Sequence, residues 1–369
     1  MRVVQVITSF QRRGAEVFAA DLSRSLNARG HVCNLIGLYA NGGPCVAKCT
    51  GDVELNADPA TLSEALFSPV LALRLVRALS RLRPDVIQMN GGRAVKYAPF
   101  VRLAFPNVVL IYRCIDMPSH WVRSRRARVA LPPVVRAIYD GAIAVSGASL
   151  ANFEAVYGRE VRTVAIANGV DFGRLRSGVE RAAWRSQVGL PSDVPLICFI
   201  GALGPQKRPD LAIDALRRVA RRDACLVMIG EGPWRGKIQD LVQNWGLSER
   251  VRVLGSRDDV GDALRASDLL WLTSATEGLP AVVIEAMACG VPPIAFDVGG
   301  VAEVVDRESG SVVGSGDIGA LVASTDRLLA DPPLRASMAA NGRRRAAEYD
   351  IESIAERYLD FFRERQAAG

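Results

Sequence analysis

The chain has 369 residues, 49% hydrophobic and 23% charged, with a formal net charge of +7 and a pI near 9.2. This length exceeds one modest hydrophobic core and fits two domains of roughly 150–200 residues. The composition excludes wholesale disorder, and no apolar run reaches the ~18 residues that a membrane-spanning helix needs. Arginine supplies most of the excess charge, which suits phosphate-bearing ligands, an anionic membrane surface or nucleic acid. No recognised nucleic-acid-binding motif accompanies the charge, so no nucleic-acid partner is expected.

The first residues, MRVVQVITSF, read as a buried strand at Val3–Ile7 and not as a signal peptide, because no small-residue cleavage site follows. A polar loop leads to a helix over Gly14–Ala28. A second helical stretch, Leu66–Leu82, passes through Pro84 into the strand Val86–Met89. Strands at Val108–Tyr112 and Ala142–Val145 follow, with a helix at Val134–Ile138 between them, and Asn168-Gly169-Val170-Asp171 turns the chain near the end of this half. Short apolar strands alternating with helices predict a parallel sheet covered on both faces. The first domain is therefore placed at residues 1–171.

Residues 172–193 are polar and less periodic, with Gly178, Gly189 and Pro191, and are assigned as a linker with a short helix at Glu180–Val188. The second domain, residues 194–345, repeats the plan. Its strands are expected at Leu196–Ile200, Leu226–Ile229, Val251–Leu254, Leu269–Leu272 and Pro293–Ala295. Its helices are expected at Pro209–Ala220, Gly236–Trp245, Val260–Ala266 and Ala281–Ala288. In the tail, 346–369, Ile351, Ile354, Ala355, Tyr358, Leu359 and Phe362 form one apolar helical stripe, suited to bracing the first domain.

The seven cysteines are odd in number and form no CxxC pair, as expected of reduced thiols in a cytoplasmic protein. Cys33, Cys45 and Cys49 lack a fourth ligand, and His31 and His120 are the only histidines, so no metal site is expected. Between Met117 and Tyr139 lie Arg123, Arg125, Arg126, Arg128 and Arg136 without an acid, interleaved with Trp121, Val122, Val129 and Leu131. One reading is a solvated face; the other is contact with anionic lipid at the inner face of the plasma membrane.

Several segments carry chemistry. After the strand ending at Ile200, Gly201-Ala202-Leu203-Gly204-Pro205-Gln206-Lys207-Arg208 ends in two cations just before a helix that opens on Pro209, an arrangement suited to a diphosphate. The spacing is not that of a Walker A loop. Gly230-Glu231-Gly232-Pro233 follows another strand and allows close backbone approach. The most informative block is Thr273–Gly290. Its loop, with Glu277, Gly278, Leu279 and Pro280, leaves a strand at the sheet's carboxyl edge, where α/β sheets bind ligands. Glu285 sits one turn into the following apolar helix, where a carboxylate wants hydrogen-bond donors such as a ribose diol. In the first domain, Arg12-Arg13-Gly14-Ala15-Glu16 opens a helix whose amides suit a phosphate or an acceptor. Asp116 lies beyond a strand end, placed to orient a sugar hydroxyl or act as a base.

Together these segments resemble glycosyltransferase family 4 (GT4), the retaining nucleotide-sugar enzymes of the GT-B fold. The resemblance rests on EGLPAVVIEAMACGVP, with glutamates at 277 and 285, and on Lys207, Gly14-Ala15-Glu16, Val145-Ser146, Asn168-Gly169-Val170-Asp171 and Gly230-Glu231-Gly232-Pro233. It implies an α/β GT-B architecture, two Rossmann-like domains facing across a cleft. It makes Glu285 the ribose ligand and places Glu277 beside the donor sugar and diphosphate. The expected binding set is Gly14, Gly201, Lys207, Arg208, Gly230, Glu231, Glu277, Gly278, Leu279, Pro280 and Glu285; Glu277, Lys207 and Asp116 are the expected catalytic residues. No cofactor or metal is expected beside the nucleotide-sugar co-substrate, a UDP-sugar being favoured. The implied acceptor is a hydroxyl of a glycan, a lipid-linked intermediate of cell-surface polysaccharide such as lipopolysaccharide, or a small molecule. The sequence departs from the family pattern at Arg13 (for glycine), Ala202 (for arginine) and Ile115 (for a histidine before Asp116). These departures keep open a catalytically silent nucleotide-sugar-binding scaffold, and a phosphorylase or epimerase on the same fold is a further alternative.

Overall fold

The computed structural model of the chain describes residues 1–40, 43–58, 67–120, 122, 124–176 and 178–368. It divides into two compact units, one of Met1–Gly169 with Ile351–Gly369 and one of Val170–Asp350. No helix among the described residues is long and apolar enough to cross a membrane.

Unit 1 is built on seven strands: β1 (Arg2–Ile7), β2 (Val32–Tyr39), β3 (Val53–Ala57), β4 (Val86–Asn90), β5 (Val109–Cys114), β6 (Gly141–Ala144) and β7 (Thr163–Ala165). They pair in parallel in the order β3-β2-β1-β4-β5-β6-β7. Alternation along the strands divides the core between the two faces. Val4, Val6, Ile87, Met89, Leu110 and Tyr112 face one cluster, with Leu75 and Tyr97. Val3, Val86, Val109 and Ile111 face the other, where Phe18, Leu22 and Leu26 of the Gly14–Ala28 helix meet Tyr358, Leu359 and Phe362 of the Ile351–Ala368 helix. The apolar stripe of that last helix is thus buried on unit 1, with the Phe18 and Tyr358 ring centroids 5.6 Å apart.

Unit 2 is built on β8 (Leu196–Ile200), β9 (Cys225–Ile229), β10 (Val251–Gly255), β11 (Leu269–Leu272), β12 (Pro293–Phe296) and β13 (Ser311–Val313), parallel in the order β10-β9-β8-β11-β12-β13. Both sheets therefore wind outward in one direction and then reverse, between β1 and β4 in unit 1 and between β8 and β11 in unit 2. That reversal opens a crevice at the carboxyl ends of the strands, the usual ligand position of doubly wound folds.

Residues 172–193 contain a helix, Arg181–Gln187, whose Trp184 and Arg185 are fully buried. Trp184 donates to Asp259 Oδ2 at 2.7 Å, and Arg185 donates to the carbonyls of Ala266, Ser192 and Val194 at 2.7–2.9 Å. This segment belongs to the body of unit 2.

The helix expected to begin at Leu66 runs over Pro69–Leu82, with the Ser68 hydroxyl accepting from Leu71 N at 3.2 Å; Leu66 lies outside the described residues. The helix expected at Val134–Ile138 begins earlier, at Arg125, and continues through Pro132 and Pro133. Ser124 caps its start, and its residues 129 and 130 face solvent.

Candidate functional site

In unit 2 the loops leaving β8 and β11 are tied together where the winding reverses. Thr273 Oγ1 donates to the carbonyls of Lys207 and Arg208 at 3.1 and 2.9 Å, and Ala275 N donates to Gln206 O at 2.8 Å. These bonds set Lys207 Nζ 2.5 Å from Glu277 Oε1, and the Ser274 hydroxyl donates to the same oxygen at 2.5 Å. Glu277 is only 7% exposed. A carboxylate removed from water needs a cation and hydrogen-bond donors, and this one has both.

The surrounding glycines hold neighbouring backbones closer than any side chain would allow. Gly230 has φ +143°, and a Cβ on it would lie 2.0 Å from Gly201 O. Gly299 has φ +57°, and a Cβ there would lie 1.8 Å from Glu277 O; Gly300 N donates to Gly278 O at 2.9 Å. The loop after β12 is therefore pressed onto the loop that carries Glu277.

Leu279 and Pro280 are buried just before the Ala281–Ala288 helix, with Pro280 at its N-cap position. Glu285, 7% exposed on this helix, pairs with Arg174 from the short Phe172–Leu175 turn. Two expected residues keep their charge on local neighbours. Arg208, held at φ +48°, forks onto Asp210 at 3.0 and 3.2 Å, and the exposed Glu231 pairs with Arg235 at 2.7 Å. The structure thus brings Lys207, Glu277, Gly201, Gly230 and Gly278 together, sets Leu279, Pro280 and Glu285 on the adjoining helix, and leaves the heads of Arg208 and Glu231 engaged elsewhere.

Unit 1 presents its own polar group at the carboxyl end of its sheet. Strand alternation carries Gln5, Gln88 and Arg113 onto the face covered by the first and last helices. Gln88 Nε2 donates to Gln5 Oε1 at 3.0 Å and to Asn90 Oδ1 at 3.1 Å. Arg113 is fully buried. It donates to Asn90 Oδ1 and Tyr358 Oη, both at 3.1 Å, and to Asn168, and its guanidinium lies 4.1 Å from the Phe18 ring centroid. Glu16 is buried beside this group. Burial pushes its carboxyl up to about 7, although Arg13, Arg113 and Arg93 pull it down. Gly14 opens the helix on the exposed surface, with no atom near where a Cβ would lie. Asp116 is half-buried beyond β5, its carbonyl accepting from Cys114 Sγ at 3.3 Å. Gly14 and Asp116 belong to unit 1, and Lys207 and Glu277 to unit 2.

Ser274, Arg174 and Arg113 were not singled out from the sequence. Ser274 stands three residues before Glu277 and was open to detection as its donor. Arg174 lies 111 residues from Glu285, and Arg113 joins partners on four segments, so neither had a local signal. Among the described residues no group of three His, Cys, Asp or Glu side chains is placed to hold a metal ion.

Two outcomes follow. Glu16 is protonated in the folded chain at pH values where an unfolded glutamate is ionised. Wild-type stability should therefore fall as pH rises from about 4.5 through about 7, by up to roughly 3 kcal/mol. Urea unfolding of E16Q at pH 5 and pH 8 should show that loss flattened; an equal loss in both proteins would refute the assignment. Lys207→Met should destabilise unit 2 by roughly 2–3 kcal/mol, on the low side for a buried pair because Lys207 is partly exposed. Adding Glu277→Gln should recover most of that loss in the same urea assay.

Residues 12–174 match Glycosyltransferase Family 4, and residues 180–345 match Glycosyl transferases group 1. D-inositol 3-phosphate glycosyltransferase of Saccharomonospora viridis is 32% identical over 222 residues, covering 56% of this chain and 51% of that protein. A GDP-mannose-dependent monoacylated alpha-(1-6)-phosphatidylinositol monomannoside mannosyltransferase of Corynebacterium glutamicum is 33% identical over 227 residues, covering 58% of this chain and 59% of that protein. The chain spans about half the length of the curated relatives it matches. Among solved structures, sucrose-phosphate synthase of Thermosynechococcus elongatus aligns over 100% of both chains with TM-score 0.83 and 24% identity. HepE of Anabaena, in complex with UDP and glucose, aligns over 99% of this chain and 100% of that one with TM-score 0.81 and 21% identity. These structural likenesses establish the GT-B fold.

Proposed function

Because the chain belongs to the family 4 glycosyltransferases, with a group 1 glycosyl transferase region as its second half, we propose that it moves a hexose-type sugar from a nucleotide-sugar to a hydroxyl acceptor. The observation that carries this reading is the Lys207–Glu277–Ser274 cluster at the winding reversal of unit 2. There Lys207 faces the donor diphosphate, Glu277 orients Lys207 and the donor sugar, and Glu285 accepts from the ribose diol. Leu279 and Pro280 bring the amides of the following helix to the phosphates. A UDP-sugar is the favoured donor, a choice supported by the UDP complex of HepE.

In the proposed step the bond from the anomeric carbon to the diphosphate breaks, and its electron pair goes to the phosphate oxygen. Lys207 and the helix amides stabilise that growing charge. The acceptor oxygen bonds to the same face of the sugar while its proton passes to the leaving phosphate, so configuration is retained and no metal is required. Unit 1 is assigned to the acceptor, with Gly14 and Asp116 at the carboxyl edge of its sheet.

A lipid-linked glycan intermediate is the favoured acceptor. The surface of unit 1 supports it: Leu103, 82% exposed, and Phe100 lie on the Ala98–Ala104 helix, while Val129, 74% exposed, Val134 and exposed Arg126 lie on the neighbouring Arg125–Ile138 helix. Trp121, Arg123 and the side chains of Arg125 and Arg128 lie outside the described residues. This face fits peripheral contact with an anionic cytoplasmic membrane surface. The name of the Saccharomonospora relative supports a second reading, a small polar acceptor.

A thermal-shift screen of UDP-, GDP-, ADP- and dTDP-sugars should show one selective stabilisation, about 2.7 kcal/mol at a hundredfold excess over Kd. Glu285→Ala should weaken it. Sugar transfer should retain anomeric configuration, survive EDTA and be lost in K207A and E277A. An inverted product, or donor binding without any turnover, would sink the proposed reaction. Separately, L103E/V129E should lose sedimentation with anionic liposomes; unchanged sedimentation would remove the membrane from the account.

A further inference from the structure

Away from the Lys207–Glu277 cluster, unit 2 holds a cavity of about 390 Å³ beside the far end of the Ala281–Ala288 helix. Its size lies within the roughly 300–1,000 Å³ typical of small-molecule sites. Three arginines line it, the exposed Arg176 and Arg343 and the more buried Arg265, and Phe172, Leu175 and Ala346 supply apolar wall.

The three arginines are not equivalent. Arg265 is spent on its own surroundings, donating to Asp262 Oδ1 at 2.5 Å and to the Leu175 carbonyl. Among the described residues, Arg176 and Arg343 have no carboxylate or carbonyl partner for their guanidinium groups. The nearby acids are already engaged, Asp262 with Arg265 and Glu285 with Arg174. Arg343 is seated by packing: a Cβ on Gly290, which has φ +75°, would lie 2.0 Å from its Nη2. The glycine notch holds this guanidinium against backbone without giving it an anion.

We propose that this cavity is a binding site for a small organic phosphate, its phosphate held by Arg176 and Arg343 and its apolar body against Phe172 and Leu175. Two free guanidinium forks offer more donors than one carboxylate uses, whereas a phosphate monoester has a charge near −2 and three acceptor oxygens. The apolar wall would be wasted on an inorganic anion.

The position gives such a ligand leverage. One wall comes from the segment by which the chain enters unit 2 and another from the segment by which it leaves. The two segments already meet through Val170 N, which donates to Tyr349 O at 2.8 Å. The entering segment also carries Arg174, the partner of Glu285. Cys289 lines the same cavity as a half-buried thiol and provides a local reporter.

Phenyl phosphate titrated into the full chain by calorimetry should bind saturably. Binding should weaken at least tenfold in R176A/R343A and stay unchanged in K207A, which alters the donor site instead. Inorganic phosphate and phenol should each bind more weakly than phenyl phosphate. In the wild-type protein, phenyl phosphate should slow iodoacetamide labelling of Cys289, followed by mass spectrometry, and leave exposed Cys45 unaffected; this readout does not depend on any variant folding. Absence of saturable binding, full binding by R176A/R343A, loss in K207A, equal binding of inorganic phosphate, or unprotected Cys289 would each overturn the proposal.

Discussion

The reversal of winding in each sheet is the constraint from which the sites follow. A parallel strand returns to its sheet only by a crossover, and a sheet that grows outward both ways from its first strand must send the crossovers before and after the reversal to opposite faces. The gap lies outside the carboxyl ends of β8 and β11 in unit 2. Residues 70 positions apart meet there, so Lys207 reaches Glu277 without a designed local turn. The close glycine contacts are consequences of the same geometry. Four loops, those after β8, β9, β11 and β12, converge at the carboxyl edge of the sheet, and Gly230 and Gly299 let their backbones approach without intervening side chains.

The polar groups at the carboxyl ends of the two sheets neutralise buried charge in different ways. In unit 2 the compensation is ionic and short-range: Glu277 with Lys207 and Ser274, Glu285 with Arg174. In unit 1 Arg113 is surrounded by amides, a phenol and an aromatic face, so its charge is spread over neutral dipoles. Glu16 lies close enough to feel Arg113, yet burial prevails and lifts its carboxyl to about 7. The first arrangement fixes each charge on a close counter-ion, and the second leaves a group that titrates near neutrality.

Much of this was legible because buried parallel strands are short apolar runs. Strands β8, β9, β10, β11 and β12 stand within about one residue of their sequence assignments. The strands that escaped notice have physical reasons to do so. β3, β7 and β13 are partly exposed edge or near-edge segments of three to five residues, too weakly patterned to separate from loop. β2 is buried but interrupted by Asn34 and by Gly37, whose missing Cβ makes room for the Phe10 ring. Within the site, Glu277, Glu285 and Lys207 were visible as a motif. Arg174 and Arg113 were not, since their roles exist only after distant segments meet.

The family departures acquire a physical meaning in the same frame. Ala202 removes a cation from the strand-end loop, and Arg208 is an obvious replacement by sequence position. Its left-handed backbone and its fork onto Asp210 turn it to the start of the next helix instead. In the proposed reaction the diphosphate charge then rests on Lys207 and on the amides that open the Ala281–Ala288 helix. A single ammonium is a point charge whose direction must be imposed, unlike a planar guanidinium with its own fork. Glu277 imposes it here through Oε1, which accepts from Lys207 Nζ and from the Ser274 hydroxyl, each at 2.5 Å. In that proposed reaction an alanine at position 202 shifts the burden from the number of cations to the rigidity with which Lys207 is held.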